Sequence, residues 1–270
     1  MGKDDENGTN YDAFYRDFDL PIMRQVRSEM YDEDLGQHSW VSAEELRRDI
    51  QLLQLSSSSL LLDLGCGPGG ILAYIAEQRR CRCVGLEISQ AALQAARVMA
   101  CERGVESLVE VRMGDLNELL PFVDNSFCAV IAFDVILHAR NRGEVFREIR
   151  RVLKPGGKFL FTDAAVLTGA ISNESVRLRS SQGFTQIASP GFNERLLTEA
   201  SLRLAATEDR TASVVTAARG RLIARHRHRA ELEPIEGASQ FDIYQRYLQE
   251  TVKLASDASL SRIMYLCDRM

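Results

Sequence analysis

The sequence predicts a doubly wound α/β fold, in which helices cover both faces of a mainly parallel sheet. Three observations carry this. Short apolar runs alternate with helical patterns between residues 60 and 162. The run at 128–133 is apolar throughout, as an interior parallel strand must be. A glycine cluster joins the first run to the first helix, the kind of junction at which open α/β sheets bind ligands.

Taken in order, residues 1–10 read as a flexible tail, and 11–55 as amphipathic helix broken near Gly36. SSSS at 56–59 is a polar stop before the first strand, 60–64. The helix that follows places Ile71, Leu72 and Ile75 on one face. A second strand is expected at 81–86. Ser89 can cap the next helix, with Leu93, Ala96 and Ala100 inward and a stop at Gly104. Strands at 108–112 and 128–133 come next. Val145, Ile149, Val152 and Leu153 then mark a helix face that Lys154-Pro155-Gly156-Gly157 closes. The fifth strand is expected at 158–162. Residues 171–205 read as mostly helical, with a sixth strand at 204–211, helices at 212–229 and 240–256, and a last strand at 261–266. The late helices read as an insertion before the last strand, so 11–270 is expected to be one unit.

The chain has 270 residues, 45% of them hydrophobic and 26% charged, which excludes disordered and collagen-like chains. A globule of this size buries roughly 70–75% of its unfolded surface and needs no staple. The net charge of -5 argues against nucleic acid as a partner. No apolar run approaches the ~18–20 residues of a membrane span. The opening MGKDDENGTN carries neither a secretion nor a myristoylation signal. Six cysteines (66, 81, 83, 101, 128 and 267) lie scattered in apolar stretches. A reducing cytoplasm with free thiols is the expected address. Cys81-Arg82-Cys83 reads as buried strand rather than metal site, and no metal is expected, since no His/Cys/Asp set is clustered.

The strongest local signal is LLLDLGCGPGG at 60–70. Glycine there lets the backbone turn sharply and lets a ligand approach without meeting a Cβ. Glu87, about twenty residues on, can accept the hydroxyls of a ribose, so an adenosine-containing cofactor is expected. Gly65, Gly67 and Gly70 formally satisfy GxGxxG, which keeps a nicotinamide dinucleotide as an alternative. Asp63 favours a cofactor bearing an amino group or sulfonium, because an anion there is unhelpful beside a pyrophosphate. Asp115, in Met113-Gly114-Asp115-Leu116, can accept from an adenine amino group.

LLDLGCGPGG, GLEIS, GDL and LKPGG, in this order over about residues 58–167, resemble the class I S-adenosylmethionine-dependent methyltransferases. The resemblance implies a Rossmann-like, seven-stranded sheet whose last strand is antiparallel. It divides the chain into N-terminal lid helices (11–55), a cofactor core (58–167), a substrate cap with the sixth strand (168–258) and the last strand (259–270). It implies S-adenosylmethionine as cofactor, with S-adenosylhomocysteine as product. It implies Gly65 and Gly67 at the methionine portion, Glu87 at the ribose, Asp115 and Leu116 flanking adenine and Phe133 near the methyl donor, with Asp63, Cys66 and Ile88 as further cofactor contacts.

Asp134-Val135-Ile136-Leu137-His138 is similar to an Asp-x-x-Leu-His element of phosphoethanolamine and sarcosine/dimethylglycine methyltransferases. This makes His138 a candidate base, orienting group or cofactor contact, since imidazole titrates near 6.5. Asp134 joins it as a catalytic candidate. Tyr31 and the Gly36-Gln37-His38-Ser39-Trp40-Val41-Ser42 segment resemble the N-terminal lid of the same enzymes. That adds Tyr31 as a catalytic candidate and Trp40 and Ser42 as cofactor contacts. Tyr11, Tyr15, Asp163 and Arg179 are candidates on the substrate side. Phe241, Tyr244, Tyr247 and Leu248 form a stripe that either lines the pocket or packs. His226 and His228 read as a solvated basic face, the one cluster that would serve RNA.

The expected function is methyl transfer to nitrogen or oxygen of a small metabolite. An RNA or protein methyltransferase on the same core, and a non-catalytic cofactor-binding subunit, are the alternatives. The oligomeric state stays open, a homodimer included.

Overall fold

The computed structural model describes residues 11–270; the expected tail at 1–10 lies outside them. Three helices lead into the sheet: α1 (Tyr11–Tyr15), α2 (Pro21–Met30) and α3 (Ala43–Leu52). Pro21 starts α2, where its missing N–H costs nothing. A capping box starts α3: Ser42 Oγ accepts from the Glu45 N–H, and the Ser42 N–H donates to Glu45 Oε2.

The core runs β1 (Leu60–Leu64), α4 (Gly70–Arg79), β2 (Arg82–Glu87), α5 (Gln90–Glu102), β3 (Val109–Met113), β4 (Phe127–Phe133), α6 (Arg142–Val152) and β5 (Leu153–Leu167). Then come α7 (Asn173–Arg179), α8 (Phe192–Glu199), β6 (Leu202–Asp209), α9 (Thr211–Arg227), α10 (Arg229–Glu236), α11 (Ala238–Ser256) and β7 (Leu260–Arg269). The seven strands form one sheet in the order β3-β2-β1-β4-β5-β7-β6. β7 runs antiparallel to both its neighbours, while β1 to β5 pair in parallel.

Strand period 2 divides the interior into two layers. Leu61, Ala129, Ile131 and Leu160 point to the face covered by α3, α4 and α5. Leu62, Val130, Ala132, Phe159 and Phe161 point to the face covered by α6 and α8. A third apolar cluster, with Met30, Trp40, Leu137, Ala165, Val214 and Leu248, joins α2, α9 and α11 above the sheet.

The observed strands start within a residue or two of the expected positions, with three differences. β5 extends from Leu153 to Leu167, because Leu153 already pairs with Phe127 of β4, Lys154–Gly157 fall inside the register shift before Lys158 pairs with Ala129, and the strand continues beside β7. Residues 171–205 hold only the short α7 and α8 before β6 begins at Leu202. α10 was not expected, since Pro234 and a run of charged residues hide its pattern.

Candidate active site

A cleft opens where β1, β2 and β4 end, roofed by α1, the segment between α2 and α3, and helices α7, α9 and α11. Its floor is the glycine turn after β1. The Gly65 N–H donates to the Leu86 carbonyl at 2.8 Å. Gly65 has φ +67°, and a Cβ there would stand 2.4 Å from Val135 Cγ2, so both conformation and space demand glycine. Gly70 is needed for another reason: a Cβ would lie 2.3 Å from the Gly36 carbonyl carbon. That close approach seats the segment at 31–42 on the start of α4.

Glu87 closes β2 and organises this half. Its Oε2 accepts from the Gly67 N–H at 3.0 Å, and its Oε1 from the Ile88 and Ser89 N–H groups at 2.9 and 3.0 Å. Burial raises its pKa against those three bonds. Oε1 is thus occupied twice and Oε2 once, so the capacity left for a ribose hydroxyl lies on Oε2. Asp63 is 3% exposed and makes no side-chain hydrogen bond among the described residues. Burial, with Glu87 nearby, holds its carboxyl well above the usual range. An unpartnered buried carboxyl lining a cleft fits a cationic ligand, and a sulfonium cofactor with an α-amino group is one. Cys66, Ile88, Asp115, Leu116 and Phe133 line the same half. Asp115 Oδ1 accepts from the backbone and side chain of Asn117, which fixes it beside the β3 end.

The other half is aromatic and basic. Tyr11, Tyr15, Trp40, His138, Phe184, Tyr244 and Tyr247 line it with Arg179 and Arg221. The rings of Tyr244 and Tyr247 stack at 5.7 Å. Each phenol accepts from a guanidinium: Arg221 Nη1 donates to Tyr244 at 2.8 Å, and Arg179 Nη1 to Tyr247 at 2.6 Å. His138 Nδ1 meets the Phe184 carbonyl at 2.6 Å. A carbonyl only accepts, so Nδ1 carries the proton and the neutral ring has its lone pair on Nε2.

Three expected site residues are not brought to the cleft. Ser42 spends its hydroxyl on the α3 cap. Tyr31 packs beneath the lid segment, donating to the Ser39 carbonyl at 2.5 Å, and burial pushes its pKa up to about 12. Asp163 is fully buried: Arg142 Nη1 and Asn193 Nδ2 donate to its Oδ2 at 2.5 and 2.9 Å, and the Ala165 N–H to Oδ1. Asp134 does line the cleft, in the left-handed region at φ +55° that aspartate tolerates. Its Oδ2 accepts from the Trp40 N–H at 2.9 Å, and its Oδ1 from Thr162 Oγ1 at 2.7 Å and Arg262 Nε at 2.8 Å. Those bonds tie the segment between α2 and α3 to the end of β4 and to β5 and β7. Sequence reasoning missed Arg221 and His38 as cleft residues. Arg221 sits among other arginines on α9 and carries no local signal. His38 has one, its place beside Trp40 in the lid segment.

The strand order, the antiparallel β7 and a glycine turn facing an acid at the end of β2 define the class I methyltransferase fold. Residues 62–161 match the family described as "Methyltransferase domain". That core belongs to the S-adenosylmethionine-dependent methyltransferases, and S-adenosylmethionine is the domain's cofactor. The chain is 35% identical over 157 residues to a glycine/sarcosine/dimethylglycine N-methyltransferase of Actinopolyspora halophila, covering 58% of this chain and 28% of that protein. It is 36% identical over 111 residues to 24-methylenesterol C-methyltransferase 2 of Arabidopsis thaliana, covering 41% of this chain and 30% of that protein. The chain thus spans under a third of these relatives' length. In fold it resembles the cyclopropane synthase MmaA2 of Mycobacterium tuberculosis, with a TM-score of 0.78 at 15% identity over 96% of this chain and 99% of that one. No helix among the described residues is long and apolar enough to cross a membrane.

Proposed function

We propose that the chain transfers the methyl group of S-adenosylmethionine to a nitrogen or oxygen of a small anionic metabolite. One observation carries the substrate class. Arg179 and Arg221 line the acceptor half at 4% and 6% exposure, yet neither has a carboxylate partner among the described residues. Their partners are phenols, a threonine hydroxyl, a carbonyl and the Met30 sulfur. A buried guanidinium without a counter-charge is costly, and a ligand carboxylate or phosphate supplies one. The sarcosine and dimethylglycine named for the relatives carry such a group beside an amine.

When bound, the cofactor supplies an electrophilic methyl on sulfur. The chain's own residues then have three tasks in this reading. Asp63 and the turn at Gly65, Cys66 and Gly67 hold the methionine portion, while Glu87, Ile88, Asp115 and Leu116 hold the nucleoside. Trp40, placed by Asp134, and Phe133 keep water from the reacting centre. Arg179 and Arg221 fix the acceptor, with Tyr15 and His138 facing it, so that the nucleophile waits about 3 Å from the methyl. The cysteines serve as thiols in a cytoplasmic setting.

The test is calorimetric titration with S-adenosylhomocysteine and, separately, NADH, followed by a mass screen of sarcosine, dimethylglycine, phosphoethanolamine, hydroxy acids and sterols. Binding of the thioether that Glu87→Ala abolishes, and a one-methyl gain on an anionic amine or hydroxyl, are expected. Preference for NADH, or methylation of sterol carbon alone, would sink the reading. Arg221→Met should raise the acceptor KM ~10–100-fold, from the loss of charged hydrogen bonds of about 1.5–3 kcal/mol, and leave S-adenosylhomocysteine affinity unchanged.

A further inference from the structure

We propose that His38, in the segment between α2 and α3, accepts a hydrogen bond and then a proton from the methyl-accepting atom. The proposal rests on the functional reading above and names the residue that completes it.

His38 lines the cleft with Trp40 and Arg221. Its ring is held edge-on by Tyr15, centroids 5.2 Å apart, and by Phe18 at 6.1 Å. Packing fixes the ring, yet neither nitrogen has a hydrogen-bond partner among the described residues. Half-buried imidazoles normally find one, and the open direction here is the cleft. His138 differs, since its Nδ1 is already engaged by the Phe184 carbonyl.

The groups facing the ring are Tyr15 from α1, Arg27 from α2 and Arg221 from α9. Burial and the two guanidiniums disfavour the imidazolium and hold the pKa well below 6.5. His38 is therefore neutral at physiological pH, with a lone pair on one nitrogen. An acceptor whose anionic group sits on Arg221 presents its amine or hydroxyl to the same wall of the cleft.

The step balances without a further reactant. The acceptor's lone pair forms the new bond to the methyl carbon, and the carbon–sulfur pair stays on sulfur. A hydroxyl acceptor, now an oxonium and far more acidic than the imidazolium, gives its proton to His38; an amine enters already deprotonated and donates only its remaining N–H hydrogen bond to the ring. The same two arginines then drive that proton on to solvent.

The first arm of the test needs no acceptor. With S-adenosylhomocysteine saturating the full chain, the C2-proton resonance of His38, assigned by its loss in His38→Gln, should titrate below 6.5. A midpoint at or above that value overturns the proposal. The second arm uses the acceptor methylated in the screen. The parent's kcat should rise with pH through that low midpoint and stay flat above it. His38→Gln should lose ~10²–10⁴-fold in kcat, lose the acid limb and keep its affinity for S-adenosylhomocysteine. His138→Gln should keep the acid limb. Unchanged kcat and limb in His38→Gln, with the thioether still bound, overturn this proposal alone. No thioether binding by the parent chain overturns it together with the functional reading.

Discussion

At the scale of single residues, the cofactor half holds two buried carboxyls, Asp63 and Glu87, that no cationic side chain pairs among the described residues. Asp63 has no side-chain hydrogen-bond partner among the described residues, and both it and Glu87 have raised pKa values through burial. For a carboxyl whose folded pKa is raised, stability is fully present below the unfolded pKa and is lost as pH rises through the folded one. The ligand-free protein should therefore lose stability between the ordinary carboxylate range and the raised value of Asp63. Asp63→Asn is expected to raise Tm by ~2–4 °C at neutral pH, about 1 kcal/mol, and to weaken S-adenosylmethionine binding. Melts of both proteins with and without cofactor check this; a variant less stable than the parent refutes it. This residue was legible because it stands two places before the first glycine of the turn. Asp163 was read just as readily from its place after an expected strand, and wrongly. Whether a strand-end acid faces the cleft or an arginine depends on Arg142, 21 residues away.

At the scale of elements, local signals located the helices well and their purpose less well. Ser42 drew attention through its place in a lid-like segment, but its hydroxyl caps α3. Ser42→Ala should cost about 1 kcal/mol in urea unfolding and leave the Kd for S-adenosylhomocysteine unchanged. A large loss of affinity with stability intact would return Ser42 to the cofactor site. α1 is held differently. Asp12 Oδ1 accepts from Ser89 Oγ at 2.6 Å and from the Ala91 N–H at 3.1 Å, at the start of α5, and these bonds lower its pKa. A carboxylate at a helix start is favoured by the dipole as well. No sequence pattern announces this latch, because its partners lie 77 and 79 residues apart.

At the scale of the whole molecule, buried arginines tie distant segments together. Arg262 on β7 reaches Asp134 after β4 and Glu45 on α3, at 2.8 and 2.9 Å. Arg210, between β6 and α9, holds Asp49 on α3 through two bonds at 2.7 and 2.6 Å. Arg142 on α6 holds Asp163 on β5. Removing one member of such a pair strands a buried charge, a loss of about 3–5 kcal/mol. Arg142→Met and Arg262→Met should both show it in urea unfolding. Only Arg262→Met should also weaken S-adenosylhomocysteine binding, because Asp134 positions Trp40; equal affinity in the two variants would remove Asp134 from that role. The sequence by itself determined the sheet, the glycine turn, the acids at 63, 87 and 115 and hence the cofactor, since these follow from spacing along one βαβα stretch. Only the tertiary structure decided which polar residues meet in the other half of the cleft. Arg179 and Tyr244 were already candidates, but Arg221 and His38 join them from two further segments, and that meeting depends on packing α2, α7, α9 and α11 over the sheet. No local pattern encodes that packing.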